Sequence, residues 1–298
     1  MRSLARIFQV ALAECAGALR SRRALVLLLL YIVSAACCMY GTISIFSRME
    51  QELAQLLQLP DADKTGVVST ALWQSKPFQK MVRAMVSNDL VYADIQGRHP
   101  IELVYAWFVF FCAPLLVVLT TGNRVADDLK SGAVRYSIVR CTRAEWSLGK
   151  FAGLALMLVF ALAASAVGAW CVAVCRLSNA TSLLPAMFDW GARAWLYSLS
   201  WLGVALGISH FTRSGSRATA LGIFAVVALC ALPGVLWMNA KWFDCPWLQN
   251  FEILTPSSAK ILLWRRSFAP LANAAFRLVA LGMFFFALGV AVFRRRDA

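Results

Sequence analysis

The sequence predicts an all-α, polytopic membrane protein, and three observations carry that expectation. Apolar residues make up 60% of the 298 positions and charged residues only 15%, a composition suited to lipid rather than to a soluble core. Apolar runs recur six times, each about 20 residues long, enough for a helix to cross a hydrocarbon layer roughly 30 Å thick. The basic residues concentrate in alternate connecting stretches, as they do at the cytoplasmic edges of membrane helices.

Residues 1–23 read as an amphipathic interfacial helix, an elbow before the first span. Leu4, Ile7, Phe8, Ala11, Leu12 and Cys15 recur at helical spacing, while Arg6, Gln9 and Glu14 fall off that stripe. Arg20, Arg22 and Arg23 close it at the membrane surface. The run 24–46 is too long for a signal-peptide core and lacks a small-residue cleavage pattern, so it is read as the first span. Residues 47–100 are the longest polar stretch, with six basic and six acidic residues. Amphipathic pieces at 49–59 and 78–91, separated by a break at Pro60, Asp61 and Asp63, predict a small helical extracytoplasmic domain there.

The second span covers 101–121, with Glu102 at its outer end and Pro114 inside, where the missing backbone donor predicts a kink. A polar connection, 122–151, leads into a third span at 152–175 that carries no charge. The fourth span, 191–211, places Gly203 and Gly207 in a G-x-x-x-G spacing that suits close approach of another helix. After a basic turn at 212–217 comes the fifth span, 218–238. The stretch 239–270 carries Trp242, Trp247 and Trp264 and reads as an extracytoplasmic interfacial segment, with a short surface helix at 256–264 opened by Pro256. The sixth span, 271–293, is stopped by Arg294 to Arg296.

Charge orients the scheme. The inner stretches hold 16 basic and 5 acidic residues and the outer ones 11 and 9, so both termini are expected in the cytoplasm, with the chain in a bacterial-type inner membrane. The net charge of +14 is then accounted for by membrane edges and anionic lipid rather than by nucleic acid, which is not expected as a partner. Of nine cysteines, Cys37, Cys38, Cys112, Cys171, Cys175 and Cys230 lie in apolar runs and Cys245 in an outer loop. With His99 and His210 the only histidines, neither a disulfide framework nor a metal site is expected. The chain has no G-x-x-x-x-G-K-[ST] loop, no Ser/His/Asp set and no paired intramembrane carboxylates, so no catalytic site and no bound cofactor are expected.

The organising stretch is Asn123 to Phe151, strongly basic between two apolar runs: Arg124, Lys130, Arg135, Arg140, Arg143 and Lys150 stand against Asp127, Asp128 and Glu145. It contains an acidic pair, Ser131-Gly132, a basic position at Arg135, then Thr142-Arg143, and Leu148-Gly149-Lys150-Phe151 running into the third span. In order and spacing this resembles the ABC-2 class of ABC-transporter permeases, and with the span layout the resemblance covers nearly the whole chain. Many members carry a proline before the S/T-R pair, where this chain has Arg140-Cys141.

The resemblance implies that the loop forms a coupling helix resting on an ATPase subunit, with Asp127, Asp128, Gly132, Arg135, Arg140, Thr142, Arg143 and Lys150 as coupling residues. It also implies an exporter built from two membrane subunits, expected as a homodimer, and two separate ATPase subunits that hold the ATP and Mg. Mechanically, such a loop has to be a short rigid helix that pushes on spans two and three. Gly132 suits its turn, and Asp127 or Asp128 suits a helix N-terminus.

Two other classes compete: a membrane anchor or assembly factor that uses an ATPase without translocation, and a stand-alone secondary transporter. The second should show internal repeats and intramembrane ionisable groups, which are not evident. Within the spans, Arg193 lies near a helix end and is expected to snorkel to the headgroups. Arg277 lies about two turns into its span at the outer level of Glu102, so it either snorkels, forms an intramembrane pair with Glu102 or contacts substrate.

Overall fold

The computed structural model describes residues 2–57, 73, 75–86, 88–177, 180–242 and 246–295; the expected break at Pro60 to Asp63, together with Cys245 and Arg296, lies outside them. All regular structure among the described residues is helical. The α-helices are α1 (Arg2–Arg20), α2 (Arg22–Leu57), α3 (Lys76–Val86), α4 (Asp89–Ile95), α5 (Pro100–Thr121), α6 (Arg124–Ser131), α7 (Ala133–Ile138), α8 (Arg143–Arg176), α9 (Leu183–Phe211), α10 (Gly215–Trp242), α11 (Pro256–Lys260) and α12 (Phe268–Arg295). Short 3₁₀ turns occupy Ala180–Ser182, Pro246–Leu254 and Ile261–Trp264.

Among the described residues, five helical stretches are long and apolar enough to cross a membrane: Arg22–Arg48, Pro100–Ser131, Arg143–Arg176, Gly215–Trp242 and Phe268–Arg295. The expected fourth span is not among them. Its helix, α9, carries three tryptophans, a tyrosine, three serines, Arg193 and His210, which lower its mean hydropathy. Yet Trp190, Trp201, Met187 and Leu202 of α9 are fully buried, because α5, α8 and α12 wall it in. A helix enclosed by neighbours meets little lipid and does not need an apolar surface all round. α10 is the converse: only 11% of its apolar window is buried, against 67% for the stretch containing α5, so it lies at the rim of the bundle.

Close packing of α9 and α12 comes from four glycines. A Cβ on Gly207 would lie 2.6 Å from the Phe285 carbonyl oxygen, one on Gly282 2.7 Å from that of Leu199, and one on Gly289 2.7 Å from Gly207 Cα; Gly203 abuts the Gly282 backbone more closely still. The G-x-x-x-G spacing of α9 therefore meets Gly282 and Gly289 of α12, and the two backbones touch.

The amphipathic N-terminal helix divides its apolar stripe between protein and surroundings. Ala11, Cys15 and Ala18 are buried, and α1 lies along α8, where a Cβ on Gly149 would meet Val10 and one on Gly153 would meet Ala11. Leu4, Phe8 and Leu12 stay 73%, 64% and 48% exposed, an apolar face suited to lipid.

At the opposite end of the bundle α2 continues as one helix to Leu57, past the apolar run. The amphipathic piece expected at 78–91 is interrupted: Asn88 is extended, and its Oδ1 accepts the Leu90 and Val91 N–H groups at 3.0 and 3.3 Å to start α4. Trp73 packs on the rings of Phe78 and Tyr92 and donates its Nε1–H to the Arg98 carbonyl at 2.8 Å. α5 runs unbroken through Pro114.

Candidate functional site

Residues 122–151 fold as two short helices and the first turns of a long one. In α6, Val125 and Ala126 point into the protein and are fully buried. Gly132 ends α6 at φ 73°, a left-handed conformation that glycine adopts without strain, and the chain turns there into α7. Val134 anchors α7 below; Tyr136 and Val139 are 83% and 86% exposed, flanked by exposed Arg135 and Arg140. Cys141 is buried under this tip, its thiol pushed up by burial and secondarily by Glu145, so it acts as a small apolar group.

Thr142 then starts α8 with a reciprocal cap. The Glu145 N–H donates to Thr142 Oγ1 at 3.2 Å and the Thr142 N–H to Glu145 Oε2 at 2.9 Å. The helix thus begins at Arg143, well before the apolar run at Ala152. Arg143 Nη1 donates to the carbonyls of Phe293 and Arg294, both at 3.1 Å, and its guanidinium lies 5.4 Å from the Phe293 ring centre. A cation at the C-terminal end of α12 is well placed electrostatically. It ties the start of α8 to the end of the last helix.

Lys150 is at the centre of the arrangement. It is 4% exposed, and its ammonium lies 2.5 Å from a carboxylate oxygen of Glu14 on α1 and 2.5 Å from one of Asp128 on α6. Two carboxylates offset the desolvation of one buried ammonium, and the Trp146 ring 5.1 Å away adds to it. α1, α6 and α8 are joined at that one nitrogen.

Two further contacts attach α6 to the next pair of helices. The Ala126 N–H donates to Ser209 Oγ near the end of α9 at 3.0 Å. The Asp127 carboxylate rests on Gly215 at the start of α10, where a Cβ would collide with Asp127 Oδ1, and it accepts Asn123 Nδ2–H at 2.6 Å. A carboxylate at a helix N-terminus is electrostatically favourable. Beneath these contacts, His210 of α9 lies buried with its Nε2 3.0 Å from Ser147 Oγ of α8.

The eight residues of the expected coupling set therefore fall into two groups. Arg135 and Arg140 are exposed beside the tip. Asp127, Asp128, Thr142, Arg143 and Lys150 are engaged with this chain's own helices, and Gly132 provides the turn between the groups. Lys150 in particular has no surface for a soluble partner. Asp127 lies in the first turn of α6, as expected of an acid at a helix N-terminus, while the Asn123 side chain makes no cap bond.

The opposite end corrects two expectations. Glu102 and Arg277 do not meet. Glu102 is the third residue of α5, where its Oε1 accepts the His99 N–H at 2.9 Å and Oε2 lies 3.8 Å from Arg98. Arg277 Nη2 instead donates to Ser258 Oγ of α11 at 3.2 Å. Arg193 does not snorkel: it is 7% exposed, and its Nη1 donates to the carbonyls of Leu263 and Arg265 at 2.7 and 2.8 Å, with Asp189 at 3.0 Å from Nε. Together with the Asp94–Arg265 pair at 2.7 Å, these contacts fix the 256–265 segment against α4, α9 and α12.

Sequence reasoning missed Tyr136 and Val139, although two large apolar residues three apart in a basic loop are a readable signal. The Thr142-x-x-Glu145 capping box was readable as well. Glu14, Ser209 and Gly215 carried no local signal, because each acts only through a partner distant in the chain.

A search of curated proteins gives no match to this chain. The family model described as "ABC-2 family transporter protein" matches residues 8–298, which include every helix described above except the start of α1. The chain, an integral membrane protein, belongs to the ABC-2 family of transporter proteins.

Proposed function

We propose that this chain is the permease subunit of an ABC exporter, driven through the α7 tip by a separate ATPase subunit that binds ATP and Mg. The carrying observation is the exposed Tyr136 and Val139 beside Arg135 and Arg140, mounted on an α6 that is attached to α1, α8, α9 and α10. Large apolar side chains held in water by a rigid mount are the kind that fill a partner's pocket and dominate an interface. A displacement of the tip reaches α8 through Lys150, α9 through Ser209 and α10 through Asp127, as well as α5 through the chain itself.

In this reading the chain crosses the membrane six times with both termini in the cytoplasm. α9, with 29 residues, is long enough to cross, and its ends touch opposite ends of the bundle: Arg193 meets the 263–265 carbonyls and Ser209 meets α6. Two copies of the chain and two ATPase subunits form the working assembly, and export is the direction the family resemblance suggests. The test is to look for a Walker-motif ATPase among the reading frames neighbouring that of this chain, co-express the two and co-purify them. Val139→Asp and Tyr136→Ala should each reduce recovered ATPase at least tenfold, whereas Leu90→Asp, at an exposed position on α4, should leave it unchanged. Equal recovery with all three variants would refute the docking role.

A further inference from the structure

A cavity lies at the end of the bundle away from the coupling segment. It has a volume of 420 Å³, within the range of about 300–1,000 Å³ typical of small-molecule sites. Six elements wall it: α2 through Cys38 and Phe46, α3 and α4 through Val82 and Ile95, α5 through Val104 and Trp107, the Ile261–Trp264 turn, and α11 through its last residue, Lys260. The lining is apolar apart from Lys260, its one charged side chain.

Among the described residues no carboxylate lies within salt-bridge distance of Lys260; its ammonium lies 6.0 Å from the Phe110 ring centre and near the Cys230 thiol. Four nearby arginines are committed elsewhere: Arg193 to Asp189 and two carbonyls, Arg265 to Asp94, Arg277 to Ser258 and Arg98 to Glu102. The backbone that carries Lys260 is fixed by those same contacts, which places the root of its side chain at the cavity wall. Burial pulls it below the usual lysine range, a cost that a bound anion would offset.

We infer that this cavity binds a single-chain amphiphile with one anionic head group, its hydrocarbon chain among the α2, α3, α4 and α5 side chains and its head group at Lys260. An uncharged amphiphile would fill the same apolar space but leave the ammonium without a counter-charge, and a cationic one would oppose it. A free long-chain carboxylate and a single-chain anionic phospholipid share the required chemistry. The site is separate from the coupling segment, and the inference is tested by binding alone, without transport or an ATPase.

The experiment is a thermal-unfolding titration of the purified full-length chain in a neutral maltoside detergent, with four probes of equal chain length. These are dodecanoate, lauroyl-lysophosphatidylglycerol, dodecanol and dodecyltrimethylammonium. At least one of the two anionic probes should raise the midpoint saturably, and whichever does so at lower concentration identifies the source. Dodecanol and the ammonium probe should do so at least tenfold less effectively. Lys260→Gln should abolish the preference for the anionic head and Lys260→Arg should keep it, while Val104→Trp should block all probes by filling the cavity. Because each variant is compared with its own ligand-free midpoint, a change in basal stability does not obscure the result. A dodecanol shift equal to that of the more effective anion, no saturable shift by either anion, or an unchanged preference in Lys260→Gln would overturn the assignment.

Discussion

Lys150→Met is the most informative single change, because it keeps most of the stem and removes the charge that joins three helices. Glu14 and Asp128 would remain beside an apolar group, with side chains 13% and 32% exposed. Breaking a buried ion pair from one side costs about 3–5 kcal/mol, since the surviving charge is left without compensation. Asp128 is near the surface and regains water, so the lower end, about 3 kcal/mol, is expected here. Asp128→Asn should cost only about 1 kcal/mol, as the Lys150–Glu14 contact at 2.5 Å survives it. In the double variant the Asp128 charge is no longer stranded, so the two costs should fall short of additivity by about 1 kcal/mol. The assay is detergent-denaturant unfolding of the purified chain followed by helicity, with ATPase stimulation measured in the co-expressed assembly. Stimulation should drop in Lys150→Met even where folded protein is recovered, because α6 has lost its link to α8. Stability within about 0.5 kcal/mol of the parent, or strict additivity of the pair, would refute the view of Lys150 as a joint.

Gly203→Val should destabilise the chain by at least about 3 kcal/mol, because the added carbons meet the Gly282 backbone rather than a movable side chain; a normal unfolding midpoint would count against backbone contact between α9 and α12. Arg193→Met should leave the Leu263 and Arg265 carbonyls without their donor and loosen the 256–265 segment, read as faster hydrogen exchange there at unchanged exchange in α6. Burial holds the His99 imidazole below its usual value, and its Nδ1 accepts the Ile101 N–H at 3.3 Å in the neutral form. The unfolded chain therefore takes up the proton first as pH falls through about 6.5, so stability declines on acidification from there toward the lower folded value. His99→Asn, a good cap that does not titrate, should flatten that part of the stability curve, and an unchanged slope would contradict the role. Tags at residues 70 and 250 should be reachable from outside intact cells and a tag at residue 135 should not; outside labelling at 135 would reverse the topology.

What could be read from the sequence follows from how local each signal is. The five apolar stretches were readable because hydropathy is a property of the segment itself. α9 was readable as a span at 191–211 from its own residues, but its enclosure by α5, α8 and α12 was not, since those neighbours lie elsewhere in the chain. The turn at Gly132 was readable since glycine marks left-handed backbone, and the Gly203/Gly207 spacing pointed to close packing without naming Gly282 and Gly289 as its partners. Charges misled more than apolar residues did. Glu102 and Arg277 stood at a similar depth, but depth does not fix direction: a carboxylate at the third position of a helix is taken by the cap, and Arg277 turned toward α11. Lys150 read as a surface cation because only the folded chain brings Glu14, 136 residues away, to its ammonium.

The docking of the α7 tip on an ATPase is tested most directly by site-specific photo-crosslinking in the co-expressed assembly. A benzophenone amino acid is placed in turn at Tyr136, at Val139 and at Leu90, all exposed, with Leu90 on α4 at the other end of the bundle. Positions 136 and 139 should both form a covalent adduct with the Walker-motif ATPase subunit, and position 90 should form none. Absence of that adduct at 136 and 139, or an adduct of equal yield at 90, would contradict the account.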